Sequence, residues 1–160
     1  MNFFDLDDDD DVCAEAHCDK HRVKMILEYA QLLSTAHHEF NSPLSDKVYK
    51  KTHVNHPTAK WVRASSDNYM RVYRVMIALG EVYKKQFGRT HLTITKMEEL
   101  LKIPPEGIPH IGPTSPPACM PDECKRENSR LSYLTYYNHK ADEWAAKGRP
   151  MTWYGETREK

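Results

Sequence analysis

The sequence lacks the features that mark a membrane, secreted or zinc-binding protein. No apolar run approaches the ~18 residues that a membrane-spanning helix needs, so no membrane partner is expected. The first residues, MNFFDLDDDDD, are acidic where a signal peptide would be basic. Only four cysteines occur in 160 residues, and their C-x4-C pairs differ from the C-x2-C spacing of common zinc sites. We therefore expect a cytoplasmic protein whose cysteines are reduced thiols.

Net charge is also absent, since 23 basic residues balance 23 acidic ones. Nucleic-acid-binding domains are usually basic, so this balance gives no direct sign of such a partner. The charge is uneven, however, because six aspartates lie within residues 1–11 and leave 23 basic against 17 acidic residues elsewhere. An acidic N-terminal segment (residues 1–11) on a basic body is compatible with a polyanionic partner. We expect the aspartate run to be a solvated cap.

Hydrophobic periodicity predicts an all-α fold in a single compact domain over residues 1–160. The stretch from near Val12 to His38 has neither Pro nor Gly and should form one long N-terminal helix, capped by Asp11. A central helix pair should follow, with Pro57 in its first turn and Gly88 at its end. Further helices are expected at 44–51, 95–101 and 122–147, with an aromatic tail after the last.

The stretch 104–121 holds seven of the ten prolines, so it cannot be a regular helix. Such a long loop is expected to wrap the body or to form the wall of a site. Gly80 lies on the apolar face of the second central helix and predicts a close contact with another helix. Four aromatic residues at helical spacing are expected in the core rather than on a base-stacking surface: Trp61, Tyr69, Tyr73 and Tyr83.

One face of the predicted long helix is entirely polar and holds three histidines. A solvated face is the simplest interpretation, and a cleft lining is the other. Neighbouring residues among Cys13, His17 and His21 are four positions apart, so two of them could chelate a metal, with a third ligand from another histidine. Alternatively, Glu28, two turns beyond His21, could act as a general acid or base without any cofactor. The face comprises His17, His21, Lys24, Glu28, Gln31, Thr35 and His38.

Three stretches resemble the phage-encoded pyrimidine-dimer DNA glycosylases of the endonuclease V type. CDKHRVKMILE (residues 18–28) is similar to the family's helix, in which Asp-x-His precedes the catalytic glutamate by seven residues, as Asp19, His21 and Glu28 do. The run from 56 to 88 resembles the central helical region, and Arg-Pro-Met-Thr-Trp-Tyr (149–154) resembles the Arg-Pro-Thr-Trp-Tyr tail. The chain is also similar to uncharacterised proteins of tailed phages.

The resemblance implies a glycosylase with AP-lyase activity on damaged or modified double-stranded DNA. In that family an N-terminal amine attacks the sugar carbon, an imine forms, and β-elimination cleaves the strand. The resemblance implies that Glu28 is the catalytic carboxylate and that His21 is its neighbour in the site. The nucleophilic amine would belong to Asn2 or Met1. An α-amine has a pKa of about 7.7, so it is a competent nucleophile near neutral pH.

Contacts with DNA would come from polar residues of the helix, from arginines that bind phosphates and from the aromatic tail. Two other functions remain open. The chain could be a non-catalytic phage protein that binds a host protein or a nucleotide, or a metal-dependent enzyme that uses His17 and His21. In every case we expect it in the cytoplasm, which for a phage-encoded protein is that of an infected bacterial host. The expected DNA contacts are His17, Lys24, Gln31, Arg63, Arg71, Arg149, Trp153 and Tyr154.

Overall fold

The computed structural model of the chain describes residues 1–153 and the backbone of residues 156–157. The expected all-α class is confirmed, since the only strands in these residues are two short ones paired antiparallel, Thr152 opposite Thr157 and Trp153 opposite Glu156. The elements are α1 Asp10–Ala16, α2 Asp19–Glu39, α3 Pro57–Ala64, α4 Ser66–Phe87, α5 Leu92–Leu101, a 3₁₀ turn Asp122–Cys124, α6 Ser129–Ala146, β1 Thr152–Trp153 and β2 Glu156–Thr157.

The prediction of one continuous helix from 12 to 38 is wrong, because the chain leaves the helix at His17 and Cys18. Both residues have extended backbone there. The backbone N–H of Cys18 donates to the hydroxyl of Tyr137 at 3.1 Å, and a ring nitrogen of His17 bonds the carbonyl of Cys13 at 2.7 Å. A tertiary hydrogen bond to Tyr137 thus replaces the intrahelical hydrogen bond at Cys18.

Several other boundaries also depend on side-chain caps. Asp9, not Asp11, caps α1 by accepting from Val12 N–H at 3.0 Å. The helix predicted at 44–51 is wrong, since this stretch forms turns in which Ser42 Oγ accepts from Leu44 N–H at 3.1 Å. Two helices begin elsewhere than expected: α5 begins three residues earlier and α6 seven residues later.

The central helix pair is confirmed. His56 caps α3 through its ring, which accepts from Thr58 N–H at 3.1 Å, and Pro57 stands in the first turn. Ser65 separates α3 from α4 and caps α4 in turn. The helix α4 ends at Gly88, whose φ of 72° is the left-handed conformation that glycine adopts at little cost.

The core is built around α2, which packs against α3, α4 and α5, while α1 packs on α4. Trp61, Tyr69 and Tyr83 are buried in the core as expected, and Tyr73 is half-buried. The proline-rich stretch wraps the body as expected. Its carbonyls accept hydrogen bonds from Ser66 N–H, Trp61 Nε1–H and the Tyr133 hydroxyl at 2.8, 3.0 and 2.7 Å.

The close helix contact predicted at Gly80 is confirmed, because a Cβ there would lie 2.8 Å from Ile94 Cγ1 of α5. We expect Gly80→Ala to destabilise the protein by about 1 kcal/mol, since overpacking outweighs the ~1 kcal/mol gain in helix propensity. In an Ile94→Ala background the same change should be neutral or stabilising. Urea denaturation of the four proteins measures this, and an equal cost in both backgrounds would contradict the contact as the cause.

Candidate functional site

Two histidines of the predicted polar face are buried, which overturns the solvated-face interpretation for both. His17 is completely buried. Its Nδ1 lies 2.7 Å from the carbonyl oxygen of Cys13, and its Nε2 lies 2.7 Å from the hydroxyl of Tyr29. Because a carbonyl can only accept, Nδ1 carries the proton and Nε2 accepts from Tyr29. Tyr29 in turn accepts from the backbone N–H of Phe4 at 3.1 Å. This directed chain of bonds ties the acidic N-terminal segment to α2.

His21 forms the second half of the same arrangement. Its Nδ1 lies 2.6 Å from the hydroxyl of Tyr137 on α6, and its ring stacks on Phe4 with centroids 4.5 Å apart. Trp144 meets the same ring edge-on, at a centroid distance of 5.8 Å. The four polar rings that surround Phe4 are named here the His–Tyr cluster: His17, His21, Tyr29 and Tyr137.

Burial fixes the protonation states of the His–Tyr cluster. It lowers the pKa of His17 to about 4 and, with a smaller contribution from the neighbouring His17, that of His21 to about 3. Burial also raises the pKa of Tyr29 and Tyr137 well above the ordinary value. All four groups are therefore neutral at pH 7. Neutral buried rings that bond one another hold the N-terminal segment in place.

The expected roles of His17 in DNA contact and in metal binding are corrected by this geometry. Its ring has no exposed surface and both nitrogens are already bonded, so it can neither touch a duplex nor donate a lone pair to a metal. In the part of the chain that the structure describes, no three His, Cys, Asp or Glu residues are grouped so that they could hold a metal ion.

Glu28 lies on α2, on a partly open surface. Its side chain is 17% exposed, and Oε2 lies 3.5 Å from Lys24 Nζ. This buried oxygen receives no hydrogen bond from any of residues 1–153. The Glu28 carboxylate is therefore ion-paired with Lys24 but has hydrogen-bonding capacity left at Oε2.

The first residues of the chain lie beside this helix. Phe4 is bonded to Tyr29, the residue after Glu28, while Met1 and Asn2 are half-buried. The pKa of His56 is lowered by burial and, secondarily, by the positive charge of the N-terminal amine. Sequence reasoning considered His56 only as a helix start and a possible third metal ligand.

Arg149 lines a cavity of about 350 Å³, named here the Trp144 cavity. Lys20 and Lys147 also line it, and Lys20 Nζ lies 5.0 Å from the centre of the Trp144 ring. Sequence reasoning missed these two lysines and Trp144. The signal for Lys20 was its spacing, one turn before Lys24 and two before Glu28.

The remaining predicted contacts are dispersed. Lys24 is exposed, and Gln31 is half-buried on α2. Arg63 is 4.0 Å from Glu39 and largely covered. Trp153 is half-buried and donates from Nε1 to the carbonyl of Ala16 at 2.9 Å, so it anchors the tail instead of presenting a free stacking face. Tyr154 lies outside the described residues.

Arg71 contacts the acidic N-terminal segment, so the expected solvated cap is found only in part: Asp8, Asp9 and Asp11 are exposed, whereas Asp7 and Asp10 are half-buried. Its guanidinium donates to Asp10 Oδ1 at 2.7 Å, to the Asp8 carbonyl at 2.6 Å and to the Asp7 carbonyl. Arg74 donates to Asp10 at 2.7 Å. Asp5, Asp8 and Asp10 form ion pairs with arginines of the body, and these pairs hold the segment against it.

The structure therefore separates the predicted site residues into three places. His17 and His21 lie in the His–Tyr cluster, with Trp153 against Tyr137. Lys24 and Glu28 form an ion pair on α2, and Arg71 faces the aspartates. Searches of family models, curated proteins and solved structures gave no match to this chain. Across the described residues, no helix has the length and apolar character that a bilayer span requires.

Proposed function

We propose that the protein removes damaged or modified bases from double-stranded DNA and cleaves the resulting site through an imine. The observation that carries the proposal is the attachment of the chain's first residues to the helix that carries Glu28. The Phe4 N–H donates to the hydroxyl of Tyr29, the residue after Glu28, and Glu28 Oε2 receives no hydrogen bond from residues 1–153, with Lys24 Nζ 3.5 Å away. A nucleophilic amine and a carboxylate are the two groups that imine chemistry requires, and neither needs a cofactor.

The proposed reaction starts at the N-terminal amine, on Met1 or, after methionine removal, on Asn2. Its nitrogen bonds to C1′ of the nucleotide as the glycosidic bond breaks, and the base leaves with the bonding pair and a proton. Opening of the C1′–O4′ bond, with protonation of O4′, gives the iminium. Glu28 then takes a proton from C2′, and the 3′-phosphate leaves with the C3′–O bond electrons. The buried His21 serves as a positioning residue for the segment.

The N-terminal amine must lose a proton before it attacks. An α-amine has a pKa of about 7.7 and is mostly protonated at pH 7, so only its smaller uncharged fraction attacks. His56 is not the base, because its Nδ1 accepts from Thr58 N–H at 3.1 Å and Nε2 of the neutral ring therefore carries the proton. Burial lowers the pKa of His56 and so favours the neutral ring.

Phosphates of the duplex are proposed to bind along Lys20, Lys24, Lys147 and Arg149. Lys20 and Lys24 are exposed one turn apart on the helix that carries Glu28, and the other two residues line the Trp144 cavity. Trp144 offers an aromatic ring against which a displaced base could stack. Binding through these residues should weaken with added salt, because each phosphate contact releases counterions. The proposed setting is the cytoplasm of an infected bacterial host.

Borohydride trapping tests the proposal. The purified protein is incubated with duplex DNA that contains a cyclobutane dimer or an abasic site, and a covalent adduct on the N-terminal amine is expected. Glu28→Gln should lower strand cleavage about 10²–10⁴-fold, the usual contribution of a general acid or base. Glu98→Gln, at an exposed site on α5, is the matched control and should not change it. No adduct on either substrate, with an intact N-terminus, would overturn the proposal.

A further inference from the structure

A second cavity, of about 520 Å³, lies on the other side of the acidic N-terminal segment. It is bounded by α4, by the proline-rich stretch and by the first turn of α6. Three arginines line it and give it the name arginine cavity: Arg71, Arg74 and Arg130. Its volume falls in the range of sites that hold small molecules.

The first turn of α6 gives the arginine cavity the character of an anion site. Asn128, Ser129 and Arg130 all line it, so the positive N-terminal end of an 18-residue helix borders the cavity. Within the described residues, Ser129 Oγ and Arg130 Nε are buried and have no hydrogen-bond partner. These unpaired donors stand beside the positive end of the helix, where a phosphate oxygen would satisfy them.

Carboxylates of the acidic N-terminal segment occupy the arginines at present. Asp8 pairs with Arg130, and Asp5 lies 3.8 Å from Arg130 and 3.5 Å from Arg71. The Asp8 side chain is 89% exposed, so it can leave without disturbing the core. Arg130, by its hydrogen bond and charge, lowers the pKa of Asp8, so this carboxylate remains charged as a competitor at neutral pH.

We propose that the arginine cavity binds a phosphate group, with Asp8 as an internal competitor that holds Arg130 until phosphate replaces it. Arg130 and the helix N-terminus receive the phosphate oxygens, and Ser129 Oγ donates to one of them. Trp61 forms an aromatic wall of the same cavity, against which a nucleoside could lie. The cavity shares no lining residue with the Glu28 surface, so this proposal does not depend on the imine chemistry.

Isothermal titration with inorganic phosphate and with a deoxynucleoside 5′-monophosphate tests the site in the full chain. Asp8→Asn should bind either probe about tenfold more tightly than the unaltered protein, because a competing charge is removed. Adding Arg130→Gln to that variant should abolish binding. Asp122→Asn is the matched control, since that aspartate is 96% exposed and pairs only with Lys125 among the described residues, and it should change nothing.

The two probes distinguish the sources of the phosphate. If the nucleotide binds more tightly than inorganic phosphate, the rest of the cavity binds the nucleoside. If the two affinities are equal, the site recognises the phosphate group alone. Circular dichroism verifies that each variant is folded. A folded Asp8→Asn that binds phosphate no better than the unaltered protein, or binding that survives Arg130→Gln, would overturn the proposal. In the unaltered protein, saturating phosphate should shift the Arg130 Nε–H resonance, which gives a readout without any substitution.

Discussion

Replacing Phe4 by alanine is expected to lower the free energy of unfolding by about 3–5 kcal/mol, the usual cost of removing a buried aromatic ring. Phe4 is only 4% exposed although it belongs to no helix or strand. Its ring stacks on His21 and lies 5.4 Å from Tyr137 and 5.8 Å from Tyr133, centre to centre. The variant would leave a cavity among neutral polar rings.

Phe87→Ala is the matched control for this prediction. Phe87 is 44% exposed at the end of α4. Because less apolar area is buried there, Phe87→Ala should lower the free energy of unfolding by at most about 1–2 kcal/mol. Urea denaturation at pH 7 measures both variants. Similar costs for the two would mean that the acidic N-terminal segment contributes little to stability. Under the proposed function, Phe4→Ala should also reduce borohydride trapping, because the amine would no longer be held beside α2.

Acidification from pH 7 to pH 4 is expected to destabilise the protein strongly through three buried histidines. Burial lowers the pKa of His17 to about 4, of His21 to about 3 and of His37 to about 4 in the folded protein, from an ordinary value of 6.5. Above pH 6.5 both states are neutral and the stability is fully present. As the pH falls toward 4, only the unfolded state takes up protons, so the stability decreases.

For His17 alone, the shift corresponds to roughly 3 kcal/mol, at about 1.4 kcal/mol per pKa unit. Urea denaturation at pH 7, 6, 5 and 4 measures the total. His17→Asn should be less stable at pH 7 but should lose less stability on acidification, because one titrating group is gone. His139→Gln, at an exposed histidine on α6, is the control and should follow the unaltered protein. Equal stabilities at pH 7 and 4 would contradict the prediction.

The sequence was sufficient where local chemistry determines the structure. Gly88 ends α4 and Pro57 opens α3 because a left-handed residue and a fixed φ act on their own neighbours. Gly80 predicted a close helix contact because only an absent side chain permits one. Each of these signals lies within a few residues of the feature that it predicts.

The candidate site was less predictable because distant residues build it. By its helical position His21 belongs to a polar face, yet two residues outside the helix cover it. Tyr137 is 116 residues away in the sequence, and Phe4 belongs to the acidic N-terminal segment. No periodicity within α2 contains that information. Likewise, the Asp7–Asp11 run predicted a solvated cap, and only the folded positions of Arg71 and Arg130 show that Asp10 and Asp8 are ion-paired. Glu28 and Lys24 remain the part of the predicted site on a partly open surface.

The acidic N-terminal segment connects two places that share no lining residues. Phe3 and Phe4 contact Trp61 of α3 and Tyr29 of α2, and the next residues include Asp5 and Asp8, which pair with Arg71 and Arg130. A ligand that displaced Asp8 and also shifted the segment would change the position of the amine. By linkage such an effect would be reciprocal, so a ligand held at the N-terminal amine would alter affinity in the arginine cavity by the same factor. One short stretch of chain contacts both places, which is what allosteric coupling between them would require.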